Sequence, residues 1–468
     1  MNKQATVAAL VLVAVLAAAL LVTPVVVGSM TEARVRERVA AIDASSAASA
    51  EITSFERGWF RSSARIALRF APDSLAQRPV IDVQGNPLLG PIPVAVEFAH
   101  GPITVLDGVH FGWSRMVARL DKEAPGVTEL EQSLGVPYLF EFRGKTPYVG
   151  GMAFDADAPP FTLPIDEALL RFSGATADGT FLGNRLDARG HIEGVEMTSP
   201  TGTFAVGNVR FSAANELLSQ YVMPGESTFS IESVTIREAP AGRPVFEAAN
   251  LRVVSNTKLN DSGELLDVQV DYDLESVRVE DSALTGAKLA MAIRNLDVAA
   301  LEAYSAAASN LAGTTTNPEE IVAELAPQLD RALRAGPSLA IDPLRFRFDD
   351  EPFEGRITVT TNPANLPPAG ALNLDNPLLV LGLIDTDAEV RLSKPLALQF
   401  ATLAAQQQLG ADVPPDQREY MAEAQSGLIL TMLIGQGMLV EDGNDYRSAF
   451  KLTNGALTVN GNPVLGLR

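Results

Sequence analysis

Apolar and polar residues alternate along the chain between Glu51 and about Leu296, in short runs separated by turn residues. In the run SARIALRF, which starts at Ser63, every second position from Ala64 to Phe70 is apolar, and arginines occupy two of the positions between. Such alternation places one set of side chains on each face of a strand. Strands of a doubly wound parallel sheet are covered on both faces and have continuous apolar runs. The alternation therefore predicts an antiparallel sheet with one solvated face.

Further strands and turns follow from the same pattern. Strands are predicted at Pro93–Phe98, Pro137–Phe142, Gly202–Phe211 and Ser227–Ile236. Dipeptides of Asn, Asp or Ser with Gly favour the tight turns of hairpins. They predict turns at Asp107-Gly108, Asp178-Gly179, Ser262-Gly263 and Asn454-Gly455, the third of these closing one long hairpin over Lys258–Glu280.

Residues 297–468 combine helical patterns with strands. Helices are predicted at Pro318–Arg334, Pro395–Gly410 and Pro415 to about Ile434, each with a proline at the first turn. The chain then closes with a C-terminal hairpin. The predicted fold class is mainly β with α (α+β): an extended, curved antiparallel sheet at 51–296, several packed helices, and one N-terminal transmembrane helix.

The segment Ala5–Val27 contains no charged residue. As a helix its 23 residues would extend about 34 Å, against about 30 Å for the hydrocarbon core of a bilayer. This segment predicts a transmembrane anchor at 5–27, between a cytoplasmic tip at 1–4 and a juxtamembrane stalk at 28–50. A cleaved signal peptide is the alternative, although its apolar region is usually shorter.

The charge and the cysteine content exclude several classes of function. The chain has 57 acidic and 36 basic residues, a net charge of -21. An acidic body repels phosphate backbones, so nucleic acid is not expected as a partner, and adsorption to anionic headgroups is disfavoured for the same reason. The chain has no cysteine, which excludes disulfides, thiol nucleophiles and thiolate-bound zinc.

The two tryptophans each follow a glycine. Trp59 lies between Gly58 and Phe60, and Trp113 follows Gly112. A tryptophan that heads a strand after a turn usually buries its ring under a corner of the sheet, and this is the role we expect. Contact with a ligand or partner is the alternative interpretation.

The tripeptide His100-Gly101-Pro102 predicts a strand that ends in a rigid turn, with the histidine bonded to backbone. A role of His100 as a base or metal ligand is the alternative. His110 and His191 are the other histidines, and no H-x-x-x-H spacing occurs, so no metal site and no cofactor are predicted.

Catalytic motifs are incomplete in this sequence. The acidic pairs Asp155/Asp157, Asp271/Asp273 and Asp349/Asp350 are typical of a solvated face in a chain so rich in acids. Gly-Lys-Thr within Arg143–Pro147 is not a phosphate-binding loop, because position 139, where the first glycine of that motif would lie, is a leucine. No G-x-S-x-G occurs. No catalytic residue is predicted, and an enzyme is not the favoured interpretation.

Three motifs resemble the YdgA-like family of uncharacterised bacterial envelope proteins. They are GWFRSSARI at Gly58–Ile66, HGP at His100–Pro102, and YRSAFKLTNGALTVNGNP at Tyr446–Pro463. The resemblance implies an anchor in the inner membrane and a body in the periplasm, and it brings no reaction with it. The motif residues, which we expect to be structural, are Gly58, Trp59, Phe60, His100, Gly101, Pro102, Asn454, Gly455, Asn460 and Gly461.

Two functions fit these features. The first is a non-enzymatic envelope protein that holds or passes lipid or another apolar ligand, since an amphipathic sheet and apolar helices follow a membrane anchor. The alternative is a protein-interaction module that supports assembly of envelope proteins through a sheet edge or the acidic surface. A hydrolase is a third and less favoured hypothesis.

Overall fold

The computed structural model describes residues 36, 39, 48–70, 91–106, 108–219, 222–239, 242, 244–311, 327–368, 381–408 and 414–465. These residues form mainly antiparallel β-sheet with a few helices, as the alternation predicts. Two compact units divide the chain, the first at 1–200 with 207–217 and the second at 201–206 with 218–468. The predicted anchor Ala5–Val27 and residues 318–326 of the first predicted helix lie outside the described residues.

The first unit is an antiparallel sheet in which chain neighbours pair. Its strands are β1 (Ala48–Arg57), β2 (Arg61–Phe70), β3 (Ile92–His100), β4 (Ile103–Val105), β5 (Val109–Phe111), β6 (Ser114–Leu120), β7 (Glu141–Thr146), β8 (Met152–Ala158), β9 (Phe161–Ile165), β10 (Ala168–Phe172), β11 (Ala175–Leu182) and β12 (Arg185–Ser199). The pairs run β1-β2-β3-β6-β7-β8-β11-β12. β9 and β10 pair with each other, and β10 also pairs with β12, so β8–β9 and β10–β11 act as two long interrupted strands.

Two further elements belong to the first unit. The small hairpin β4–β5 is inserted between β3 and β6, and helix α1 (Val127–Leu134) connects β6 to β7. The core is small, as expected of a sheet with one solvated face. Its buried members are Ala64, Val94, Val96, Phe98 and Ala118.

The second unit continues as antiparallel pairs. After β13 (Gly202–Glu216), which contributes residues to both units, its strands are β14 (Gly225–Glu238), β15 (Pro244–Leu259), β16 (Leu265–Val279), β17 (Ser282–Asp297), β18 (Ser338–Phe348), β19 (Glu351–Thr361), β20 (Ile384–Ser393), β21 (Val440–Asp442), β22 (Asp445–Thr453), β23 (Ala456–Val459) and β24 (Asn462–Leu465). From β14 onward each strand pairs with the next, except that β22 pairs with both β20 and β21.

The helices of the second unit lie between these strands. They are α2 (Val298–Leu311), a helical segment at 327–334, α3 (Lys394–Gln408) and α4 (Pro415–Gly435), with one 3-10 turn at Pro363–Asn365. The last two confirm the predicted helices that begin at Pro395 and Pro415. In the described parts of the chain, no helix is long and apolar enough to cross a bilayer.

The turn predictions had different outcomes. The described hairpins reverse at Gly108, at Ser262-Gly263 and at Asn454-Gly455, as predicted. The predicted turn at Asp178-Gly179 is wrong, because both residues lie inside β11. A Cβ on Gly179 would lie 2.5 Å from the ring of Phe154, so this glycine allows an aromatic ring to pack on the strand. The predicted strand Pro137–Phe142 begins only at Glu141.

Candidate functional site

One face of the second unit's sheet is apolar across β14–β19. On β16, Val268, Val270 and Tyr272 occupy alternate positions, and across the ladder they lie opposite Ile293, Met291 and Leu289 of β17, respectively. Directly opposed residues of antiparallel strands point to the same face. The two strands therefore carry a continuous apolar patch.

The patch extends in both directions along the sheet. Tyr272 lies opposite Val253 of β15, which lies opposite Phe229 of β14. In the other direction Met291 lies opposite Ile341, which lies opposite Ile357 of β19. We call this surface the apolar face. Its members are Phe229, Ile231, Leu251, Val253, Val268, Val270, Tyr272, Leu274, Leu289, Met291, Ile293, Leu339, Ile341, Leu344, Ile357 and Val359.

None of these side chains is buried by the described residues. Phe229 is 40% exposed, and Tyr272 and Leu339 are each 37% exposed, while the remaining members are half-buried. Large exposed apolar patches on proteins mark surfaces that bind ligands, partners or membranes. The apolar face therefore has the chemistry of a binding surface for an apolar molecule.

The reverse face of the same strands is charged. A row of charged residues crosses six neighbouring strands, each member opposite the next: Arg252, Asp273, Lys288, Arg345, Glu354 and Arg391. The Nζ of Lys288 lies 2.8 Å from Oδ2 of Asp273. This is the solvated face that the sequence predicts for Asp271/Asp273, and its contrast with the apolar face defines two distinct surfaces.

Two helices cover one end of the apolar face. There Phe346 and Phe353 stack with ring centroids 4.6 Å apart, and they pack against the buried residues Leu392, Leu396 and Tyr446. Leu430, Ile434 and Leu439, of α4 and the segment after it, complete this cluster. Leu430 and Ile434 of α4 thus contribute to this core, whereas Leu428 and Met432 of the same helix are 71% and 53% exposed. The described part of the chain leaves the face over β14–β17 without such a cover.

The expected burial of Trp59 is wrong. Trp59 is 55% exposed and Phe60 is 51% exposed. The backbone N–H of Gly58 donates to the carbonyl of Arg61 at 2.8 Å, which closes a tight turn between β1 and β2. Because the rings lie on the turn itself, the strands offer them no sheet surface to pack under. The alternative interpretation, contact with a ligand or partner, is now the stronger one.

His100 occupies the end of β3, and Gly101 follows it with a φ of 115°. Its side chain is fully buried, and its Nε2 lies 2.8 Å from the hydroxyl Oγ of Ser62, not against backbone. Burial lowers the pKa of His100, because the protonated ring loses its hydration. Ser62 is also buried, so the pair lacks the solvent access that a nucleophile and base require. The pair therefore has the features of a structural hydrogen bond.

His191 and the pair Asp155/Asp157 have polar partners of their own, and the two aspartates share Arg143. His191 bonds the amide oxygen of Asn208 at 2.8 Å, and Asp157 accepts from the hydroxyl of Tyr138 at 2.6 Å, which raises the pKa of that tyrosine. Asp155 pairs with Arg143. Within the described ranges, no three His, Asp or Glu residues are grouped to hold a metal ion.

A shallow depression of about 620 Å³ lies on the first unit's sheet. Its lining includes Asp155, Asp178 and Arg189, and the last two are paired at 2.9 Å. Its lining mixes these charged side chains with Phe154 and small residues, whereas the members of the apolar face carry no charge.

The C-terminal motif forms two consecutive hairpins. Asn454 and Gly455 have φ values of 50° and 77°, and Asn460 and Gly461 have values of 50° and 81°. Two positive φ angles in succession are what a type I′ turn requires, and Asn-Gly adopts them readily. These four residues form the turns that connect β22 to β23 and β23 to β24.

The sequence matches, over residues 1–465, the family described as "Bacterial protein of unknown function (DUF945)". The chain belongs to this family. It is also similar to Protein YdgA of Escherichia coli (strain K12), with 22% identity over 173 residues, which is 36% of this chain and 34% of YdgA. The aligned part thus spans about a third of that relative. These matches confirm the YdgA-like resemblance, and no solved structure matches the chain.

Proposed function

We propose that the protein is a membrane-anchored, non-enzymatic protein of the bacterial cell envelope that holds lipid acyl chains against its apolar face. The main observation in support is an apolar surface across β14–β19, left uncovered over β14–β17 by the described residues, with a charged row on its reverse face. Acyl chains are long, apolar and free of hydrogen-bonding groups, which matches a sheet whose backbone groups are already paired. Each methylene buried there contributes about 0.8 kcal/mol, so a chain crossing several strands is held without directional contacts.

The anchor and the location are further parts of this proposal. A transmembrane segment at 5–27 would keep the apolar face close to a source of lipid, and the family resemblance implies the inner membrane with the body in the periplasm. We further propose that the sheet curves around its apolar face, because curvature shields a bound chain from water. Curvature would come from the bulges in the ladders, such as the one between Ile341 and Leu344.

Native mass spectrometry of the full-length protein, purified in a mild detergent, tests the lipid-binding proposal. We expect phospholipid adducts on the unmodified protein. Val270→Asp places a charge on the apolar face and should remove the adducts that depend on this face. Gln269→Asp introduces the same charge at the neighbouring position on the reverse face and should retain these adducts. Lipid that is held by the anchor alone should remain on both variants.

Two results would count against lipid binding. Equal adducts on both variants would show that the lipid is held elsewhere, for example at the anchor. A polypeptide adduct that Val270→Asp removes would favour the alternative, a protein-interaction module that uses the same face.

A further inference from the structure

A second exposed apolar surface lies at one end of the first unit's sheet. Its residues precede those of the apolar face in the sequence. We call it the aromatic end. It consists of nine side chains: Trp59, Phe60, Ile103, Val105, Val109, Phe111, Trp113, Tyr148 and Val149. Each is more than 40% exposed, and Phe111 and Val149 reach 71% and 89%. Both tryptophans of the chain belong to it.

Three turns of the sheet meet at this end. They are the β1–β2 turn, the β4–β5 insertion and the β7–β8 turn, which share one end because the strands between them alternate in direction. Hydrogen bonds connect the turns. The guanidinium of Arg61 donates to the carbonyl of Val105 at 2.5 Å, and the backbone N–H of Trp113 donates to the carbonyl of Thr146 at 2.8 Å. The aromatic end is therefore one assembled surface.

In the hairpin β4–β5 the apolar side chains occupy the exposed face. Ile103 lies opposite Phe111 and Val105 opposite Val109, so all four share one face, and that face is exposed. Thr104 and Leu106, at the alternate positions of this segment, are buried, and Leu106 packs against Ala99 and Val117. This segment thus buries Thr104 and Leu106 and presents four large apolar side chains to the outside.

Two of the aromatic residues already have partners for their polar atoms. The indole N–H of Trp113 donates to the carbonyl of Tyr148 at 3.2 Å, and the hydroxyl of Tyr148 donates to the carbonyl of Pro102. The two rings meet edge to face with centroids 5.5 Å apart. These rings can enter an apolar environment without leaving a donor unpaired, which would otherwise be costly. A partner that binds through hydrogen bonds would gain little affinity from these rings, because their polar atoms are already bonded.

The charges around the aromatic end differ from those of the chain as a whole. Arg57, Arg61 and Lys145 lie at the strand ends next to these turns. The same segments of the sequence contain the acidic residues Glu56 and Asp107, while the whole chain has 57 acidic and 36 basic residues. Basic groups beside exposed apolar side chains favour a surface of phospholipid headgroups. Tryptophan and tyrosine are enriched at the level of those headgroups in membrane proteins.

We infer that the aromatic end is a membrane-docking surface that inserts its turns into the interface of a phospholipid bilayer. Turns that project from a sheet can insert between lipid headgroups, whereas a flat or concave surface cannot. The chain enters β1 at Ala48, at the opposite end of the same strand from the Trp59 turn. The docked bilayer is therefore a second one, distinct from the bilayer that the proposed N-terminal anchor would span.

Tryptophan fluorescence of the full-length protein reports on this surface alone, because the chain has two tryptophans and both lie here. The protein is placed in nanodiscs and mixed with vesicles that contain phosphatidylglycerol. Brominated phospholipid, which quenches tryptophan, is put in the discs in one arm and in the vesicles in the other. We expect quenching and a blue shift when the brominated lipid is in the vesicles, whereas quenching only from the discs would contradict docking to a second bilayer. Absence of quenching in both arms overturns the inference.

A pair of matched variants tests whether the hairpin side chains carry the docking. Val109→Ser with Phe111→Ser should weaken binding to the quenching bilayer by about tenfold or more, since it removes two insertion groups. Leu169→Ser with Met197→Ser changes side chains that are 43% and 42% exposed at the other end of the sheet, and should leave binding unchanged. Thermal unfolding confirms that both variants are folded. Equal binding by both variants would overturn the inference and favour a protein contact at this end.

Discussion

The imidazole Nε2 of His100 lies 2.8 Å from the hydroxyl Oγ of Ser62, and both side chains are buried where β2 pairs with β3. The ring of His100 also stacks on Phe98, with centroids 6.5 Å apart. The imidazole of His100 thus contributes packing and one hydrogen bond to the interior of the first unit. Because the ring is buried, its protonation would destabilise the folded state.

We expect the protein to lose stability as the pH falls below about 6.5. Burial lowers the pKa of His100 in the folded state, whereas in the unfolded chain it titrates near 6.5. The unfolded state therefore binds more protons below that pH, and the free energy of unfolding decreases until the folded-state pKa is reached. Urea unfolding between pH 7.5 and 5 measures this. His100→Gln should show a weaker pH dependence, and an identical dependence would refute the assignment.

Trp59→Ala should reduce the free energy of unfolding by less than about 1 kcal/mol, because the ring is exposed on a turn. Phe98→Ala is the matched comparison, since Phe98 is buried in the core of the same unit. That change should cost about 3–5 kcal/mol. Urea unfolding of the two variants measures the difference. A loss of several kcal/mol for Trp59→Ala would mean that the ring is buried after all.

Glu141→Gln should destabilise the first unit by about 2–4 kcal/mol. The carboxylate of Glu141 is fully buried and contacts the guanidinium groups of Arg119 and Arg143. Neutralising one member of a buried ion pair leaves the other charge uncompensated, although the partial exposure of both arginines reduces the cost. Glu129→Gln, an exposed position on α1, serves as the control and should change stability little. Equal effects in chemical denaturation would contradict this role.

Asn460→Ala should cost about 1–2 kcal/mol more than Asn454→Ala. Both asparagines have a φ of 50°, so the backbone strain introduced by alanine is matched. The amide of Asn460 also accepts from the backbone N–H of Ala449 at 2.8 Å and donates to the carbonyls of Gly437 and Met438. Losing these bonds removes the partner of the Ala449 N–H and of the Gly437 carbonyl, both half-buried, whereas Asn454→Ala loses only the bond that Asn454 accepts from Asn365 at 3.2 Å. Comparable losses for the two variants in thermal unfolding would show that the side-chain bonds contribute little.

The strand alternation predicted the antiparallel sheet well, because the side-chain period of two is set by backbone geometry alone. It could not predict whether anything covers a face. The residues around Val270 alternate like those around Val96, yet Val96 is buried in a core and Val270 is only half-buried on the apolar face. Coverage depends on contacts between distant segments, and no local pattern records it.

Three short elements, α1, β4 and β5, were not predicted from the sequence. Helix α1 has only eight residues between Gly126 and Gly135, so its periodicity is too brief to detect. The residues of β4–β5 alternate, but which side would be exposed depends on where Leu106 finds its partners. A signal for α2 was present, since Asp297 caps it by accepting from the backbone N–H of Ala300 at 2.8 Å.

The most direct test of the proposed function is photo-crosslinking in living cells from the apolar face. A benzophenone amino acid replaces Tyr272 on that face in one strain and Gln269 on the reverse face of the same strand in another. We predict that the first position crosslinks phospholipid, detected by mass spectrometry of the purified full-length protein, and that the second does not. Absence of lipid at both positions, or equal crosslinking at both, would contradict the account.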